Sequence, residues 1–259
     1  MSDLVLVQQD GPVAILTLNR PQRHNSLVPA LLEQMLARLD WVSRQAGIRA
    51  VVLAARGRSF STGGDVQGFA DHLSEIERYA ERLVGLLNQV MLSMIRLPQP
   101  IVAVVHGVVT GGSLGLVLAS DVVLVSPGAS FTPYYAVVGF SPDGGWTAML
   151  PQVIGQRRTA EVLLRNLTIS ADEAVAWGLA NLLVAPELLE AEAHGVARSI
   201  ADMQPGAVET GKRLLWQDGP AIGQRLEAER QRFVAQIGTA AAQASMAEFL
   251  RQLSNSPDR

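Results

Sequence analysis

Three small pieces of the chain have residue types that could do chemistry together. Asp143 stands in a Ser-Pro-Asp-Gly-Gly turn, residues 141–145. Two glycine pairs, Gly63-Gly64 and Gly111-Gly112, each follow a short apolar run and precede a helix-like segment. A backbone N–H approaches a substrate oxygen closely only where no side chain intervenes, and glycine meets that condition. Loops between strand and helix also gather backbone donors. Gly64 and Gly112 could therefore pinch one carbonyl oxygen as an oxyanion hole, while a single acid moves a proton. Each loop reads equally as a tight connection, and Asp143 also reads as the turn-forming aspartate before Gly-Gly.

The remaining candidates have plainer roles. His106 reads as a hydrogen-bonded structural histidine. Tyr134 and Tyr135 read as core aromatics or as pocket walls. A phenol has an ordinary pKa of about 10 and makes a poor base. Asp65 suits a helix cap. Met91 and Met94 suit helix core, and Glu161 a helix surface.

Composition narrows the chemistry further. The chain has 259 residues, 48% of them hydrophobic and 17% charged, with a formal net charge of -3. That is ample for a large core, and the low charge points to surface covered by neighbours in an oligomer. There is no basic run, so neither nucleic acid nor a membrane surface is an expected partner. Lys212 is the only lysine. The absence of cysteine excludes disulfides, thiolate catalysis and cysteine-based metal sites. The four histidines lie far apart without ligand spacing, so no metal is expected. No basic leader or long apolar run is visible, and a cytoplasmic location is the expectation.

The elements that must position these groups follow from periodicity. Leu4–Val7 and Val13–Leu18 flank Asp10-Gly11, which predicts a hairpin. Asn19–Ser26 is a polar, proline-bearing loop. Helical spacing runs from Val28 to about Ala46 and from about Asp71 to Ile95. Arg49–Ala54, Ile101–Val105 and Asp121–Val125 predict short buried strands. A helix is expected from Gly111 onward. The order strand, glycine loop, helix, strand occurs twice, which argues for stacked β/α units. Beyond Thr147 the pattern turns helical to about Asn166. Ser170-x-x-Glu173 is a capping box that starts a helix at Ala171, ending near Gly178. Leu179–Val184 is a short apolar segment. Pro186–Met203, Pro205–Trp216 and Pro220 to about Leu253 predict three further helices, and the tail from Ser254 should fray. A boundary near residue 185 divides an α/β core from a helical C-terminal region. Ala193, Ala197, Ala201 and the run Ala240–Ala242 are small enough for helix contacts in an assembly.

At this point the chain resembles the crotonase, or enoyl-CoA hydratase/isomerase, superfamily. The matching segments are LNRPQRHNSL, VVLAARGRSFSTGGDV, PIVAVVHGVVTGGSLGLVLASDV, FTPYYAVVGFSPDGGWTAMLPQVIG and LTISADEAVAWGLANLLV, spanning about residues 17 to 184. The resemblance implies a spiral of stacked ββα units with a C-terminal helical oligomerisation region, assembled as trimers or paired trimers. It implies an acyl-CoA thioester as substrate, with coenzyme A part of that substrate and no separate cofactor. Gly64 and Gly112 would supply the two oxyanion N–H groups and stabilise an enolate. Ser26, Thr62 and Val66 would line the coenzyme path, with Arg23 or Arg251 near its phosphates. Tyr135, Phe140 and Trp146 would wall an apolar pocket around Asp143 and raise its pKa.

The departures from the family pattern carry as much information. Hydratases that this chain resembles use two glutamates, which fall at Gly115 and Tyr135 here. Dehalogenases of the superfamily also use a histidine, and the matching position lies near Leu92. Asp143 remains. Its turn is similar to the PDSGG turn in which ring-opening isomerases of the phenylacetate pathway keep a catalytic aspartate, and the resemblance places the nucleophilic aspartate of the 4-chlorobenzoyl-CoA dehalogenases at the same position. One acid suits one proton shuttle, so double-bond isomerisation of an enoyl-CoA is the leading expectation. The alternatives are an atypical hydratase or thioester hydrolase in which Asp143 activates water, and a catalytically silent acyl-CoA-binding protein.

Overall fold

The computed structural model describes residues 3–255. Among these described residues nine strands form two sheets: β1 (Val5–Asp10), β2 (Val13–Leu18), β3 (Ala50–Ala55), β4 (Ile101–Val105), β5 (Val108–Thr110), β6 (Val122–Val125), β7 (Ser130–Thr132), β8 (Ile169–Ser170) and β9 (Leu182–Leu183). The larger sheet has the order β1-β2-β3-β4-β6-β9 and the smaller β5-β7-β8. β1 and β2 are the antiparallel hairpin, in register from Val5↔Leu18 to Asp10↔Val13. The other neighbours of the larger sheet pair in parallel. Parallel strands must be covered on both faces, which is why β3 and β4 are apolar almost throughout.

Among the described residues, twelve α-helices cover these sheets. The first six are α1 (Pro29–Ser43), α2 (Val66–Asp71), α3 (Ile76–Arg96), α4 (Leu114–Leu118), α5 (Tyr135–Val138) and α6 (Leu150–Ile154). The others are α7 (Gln156–Arg165), α8 (Ala171–Ala176), α9 (Leu189–Ala201), α10 (Pro205–Leu215), α11 (Gly219–Ile237) and α12 (Ala240–Asn255). No helix among the described residues is long and apolar enough to cross a membrane.

Several expected elements occur almost as read. β4 has the expected bounds, and the Ser170–Glu173 capping box forms reciprocally at the start of α8. Two long helical stretches are broken instead. The one after Thr147 splits into α6 and α7 at Gly155, whose φ of +88° leaves helical space. The one from Pro220 splits into α11 and α12 at Gly238-Thr239. There a Cβ on Gly238 would lie 2.0 Å from a Glu77 carboxylate oxygen. Thr239 Oγ1 accepts from Ala242 N at 3.2 Å and restarts the helix. Ser254 and Asn255 still belong to α12, and residues 256–259 of the expected frayed tail lie outside the described residues.

The helices beyond Pro186 share the core of the α/β front. α9 lays Leu189, Ala193, Ala197 and Ala201 on the sheet against Ala50, Val52, Val102 and Val104. Those alanines, expected in contacts between subunits, face the chain's own strands. Their i, i+4 spacing forms one stripe, and their size lets the helix sit close to the sheet. α11 contributes Ile222, Leu226, Phe233 and Ile237 to the main core, where it packs along α3. α12 lies across α2 and α5. Lys212 of α10 is buried, and its ammonium meets Asp121 at 2.8 Å and the carbonyls of Met94 and Gln99 at 3.1 Å. Burial pulls its pKa down while Asp121 works in the opposite direction.

Candidate active site

The two glycine loops come together because glycine lets them touch. Gly63 has a φ of +73°, and a Cβ there would lie 2.5 Å from the Thr110 carbonyl oxygen. Ser113 Oγ crosses the gap, donating within 2.9 Å of the carbonyls of Ser61 and Thr110. Leu27 N donates to Gly63 O at 2.7 Å, and Asp65 N to Leu27 O at 3.0 Å. Those bonds flank Gly64 and leave its own N–H without an acceptor among the described residues. Gly112 is the second residue of a single 3-10 turn at Gly111–Ser113, where an N–H has no intrahelical acceptor. Gly64 and Gly112 both line one cavity of about 620 Å³.

Asp143 reaches the same cavity from the far side. A Cβ built on Gly112 would lie 3.1 and 3.2 Å from its two carboxylate oxygens. Next to it, Gly144 presses on the glycine loop so closely that its own Cβ would fall 2.5 Å from Gly112 Cα. Tyr134 adopts a left-handed φ of 62°, uncommon without glycine, and Asn166 Oδ1 holds its N–H at 2.8 Å. That turn carries Tyr135 inward. Its hydroxyl donates to Asp143 Oδ1 at 2.5 Å and lies 3.0 Å from the Asp143 carbonyl. Burial pushes the Asp143 carboxyl up to about 7, partly opposed by the Tyr135 hydrogen bond. The Tyr135 phenol is driven well above its ordinary range, by burial first and then by the charge of Asp143. Tyr135 is thus a donor at working pH.

Asp65 is the other acid on the cavity wall, and it is occupied. Arg20 and Arg23 meet it at 2.9 and 3.1 Å, and it caps α2 through Gly68 N. Burial alone would raise its pKa, but the two guanidiniums hold the carboxyl below the usual range. It stays charged and cannot trade a proton near neutrality.

Ser26, Thr62, Val66, Tyr135 and Phe140 all lie on the cavity lining with Gly64, Gly112 and Asp143. Trp146 does not, contrary to expectation. It is fully buried behind the loop, and its indole Nε1 donates to the Gly111 carbonyl at 2.8 Å. An indole must satisfy its N–H when buried, and here that bond braces the Gly111–Ser113 turn. Arg23, with Arg58 and His24, borders the cavity. Arg251 is instead an exposed partner of Glu248 on the same helix. The apolar end also has walls that the sequence did not reveal. Phe69 of α2 meets Phe140 at 5.7 Å and Phe233 of α11 at 5.8 Å between ring centroids. Phe249 and Leu250 of α12 close the side.

A sequence profile of the enoyl-CoA hydratase/isomerase family matches residues 8–256. The chain belongs to that family. It is 35% identical over 234 residues to the probable enoyl-CoA hydratase EchA12 of Mycobacterium tuberculosis, covering 87% of this chain and 82% of that one. It is 32% identical over 209 residues to the 1,2-epoxyphenylacetyl-CoA isomerase of Escherichia coli K12, covering 78% and 77%. The crystal structure of an enoyl-CoA hydratase from Bacillus halodurans has the same fold, with a TM-score of 0.89 at 22% identity over 95% of this chain and 99% of that one.

Gly115 and Tyr135, where the resemblance would place two glutamates, both stand in closely packed surroundings. At Gly115 even a Cβ would lie 2.5 Å from Met91 Sδ and 2.9 Å from the Gly144 carbonyl oxygen. The Asp143 turn itself and α3 leave no space for a side chain at Gly115. Tyr135 points its hydroxyl at Asp143. Glu229 is a further buried carboxylate that sequence reasoning missed. Its signal was a charge on a core stripe: Ile222, Leu226, Glu229, Phe233 and Ile237 are the buried face of α11.

Proposed function

We propose that this protein isomerises the double bond of an enoyl-CoA thioester, with Asp143 as the proton shuttle. The observation that carries the proposal is the state of the cavity's acids. Asp143 is the one lining carboxyl among the described residues whose pKa is brought near neutrality, and it lies against Gly112. As a carboxylate it takes a proton from C2 of a 3-enoyl thioester. The electron pair moves onto the thioester oxygen, where the Gly64 and Gly112 N–H groups hold the enolate. Asp143 then returns the proton at C4, and the double bond becomes conjugated with the carbonyl. The same carboxyl ends as it began, so no second acid is needed. The filled site at Gly115 and the similarity to a 1,2-epoxyphenylacetyl-CoA isomerase support this choice over hydration.

Turnover in water labelled with heavy oxygen tests it. The product acyl group should carry no solvent oxygen, while deuterium from heavy water enters at C4 to the extent that Asp143 exchanges its proton. Solvent oxygen in the acyl product would overturn the shuttle in favour of water activation.

The shuttle starts as a base, so kcat/KM should rise with pH through about 7, the value of the buried Asp143 carboxyl. Tyr135 favours the charged form by donating to it. Tyr135→Phe should therefore raise the Asp143 pKa and move the acid limb to higher pH. A pH profile that stays in place would show that the phenol does not act on the shuttle.

Assembly into trimers or paired trimers belongs to the same proposal. It is supported by exposed apolar side chains, among them Leu164 at 82% and Leu215 at 83% accessibility.

A further inference from the structure

Glu229 lies on α11, more than eighty residues beyond the turn it binds. It is 6% exposed and has no cationic partner among the described residues. Its carboxylate instead accepts from Gly145 N at 2.9 Å, Thr147 N and Thr147 Oγ1 at 2.7 Å, and Ala148 N at 2.9 Å. These donors follow Asp143 directly. Burying a carboxylate without a counter-charge is costly, and here four hydrogen bonds to one turn offset that cost.

The turn does need an outside clamp. Gly144 and Gly145 hold φ values of +60° and +86°, and residues 142–149 form no strand or long helix. Without fixed ends such a turn has many shapes. One turn before Glu229, Arg225 Nε donates to the Ala148 carbonyl at 2.9 Å. One turn after it, Phe233 stands in the cavity wall. The helix is fixed in turn by its long packing against α3.

We propose that Glu229 is a positioning residue for Asp143: it gathers the backbone donors of residues 145–148 and so holds the shuttle carboxyl against Gly112. The proposal rests on Asp143 being the shuttle. The charged and titratable groups around Asp143 are Tyr135 from α5, Glu229 and Arg225 from α11, and, across the cavity, Asp65 beside α2. Glu229 adds a like charge that helps to raise the Asp143 pKa, after burial as the main cause.

Glu229→Gln keeps the shape but loses the charge and turns an NH2 group toward donors. Its kcat should fall about 10- to 100-fold, the scale of a misplaced reacting group, with KM little changed. The acid limb of its pH profile should move to lower pH. An unchanged kcat, or a lowered kcat with an unmoved limb, would overturn the proposal. If Glu229→Gln does not fold, Thr147→Val decides. Thr147 is exposed, and the change removes one clamp bond while leaving the acid in place. A several-fold loss of kcat at an unchanged melting temperature supports the clamp, and wild-type kcat overturns it. Asp143→Asn measured alongside separates the two failures. Full turnover in that variant sinks the shuttle itself. An inactive Asp143→Asn beside a wild-type-like Glu229→Gln sinks only the positioning role.

Discussion

Asp143→Asn should bind enoyl-CoA normally and turn it over about 10²- to 10⁴-fold more slowly, the range supplied by a positioned acid–base group. The amide is nearly isosteric, so Tyr135 keeps an oxygen to donate to and the cavity keeps its shape. What is lost is the ability to hold a proton between two carbons. The variant should also be the more stable protein at alkaline pH. The folded state raises the Asp143 pKa from 3.8 to about 7, so it holds the proton more tightly than the unfolded chain. That stabilising contribution is complete below the ordinary value and is lost as pH rises to about 7. Above it, the wild type buries a charge that asparagine does not carry. Thermal unfolding at pH 8 together with single-turnover kinetics checks both halves. Turnover equal to the wild type would remove Asp143 from the chemistry.

The second large effect is expected from Gly112→Ala. A Cβ there would meet Leu87 Cδ2 at 2.9 Å and both Asp143 oxygens at 3.1 and 3.2 Å. Contacts this short force neighbours to move. The loop carrying the oxyanion N–H and the turn carrying the acid would be pushed apart, so one methyl group disturbs two parts of the machinery. Loss of one oxyanion donor costs about 10²- to 10³-fold in kcat, and this variant should lose at least as much. Steady-state kinetics with the chain's melting temperature as control make the measurement. A variant within a few-fold of wild-type kcat would show that Gly112 does not hold the developing charge.

Both predictions tie one acid to one pair of N–H groups. The cost of that economy is a buried charge, a left-handed Tyr134 and two left-handed glycines in the acid's own turn. Strain and unpaired charge gathered at one place are what a catalytic centre is expected to carry.

The sequence by itself determined the pieces whose shape depends on near neighbours. The Asp10-Gly11 hairpin, the apolar strand Ile101–Val105 and the Ser170–Glu173 capping box follow from turn chemistry, side-chain alternation and a three-residue hydrogen bond. Gly64, Gly112 and Asp143 could be singled out because glycine next to strand ends and a lone acid in a glycine turn are local features. The strands β7, β8 and β9 are two or three residues long and could not be seen, since such runs carry no period. Only the tertiary structure decided what surrounds the acid. It put Trp146 behind the glycine loop, Phe69 and Phe233 in the cavity wall, Met91 in the space beside Gly115 and Glu229 on the Asp143 turn. The physical reason is separation along the chain. Glu229 and Gly145 are partners across 84 residues, and no periodicity in either segment records the other. Their meeting depends on α11 packing on α3, which is a property of the whole core.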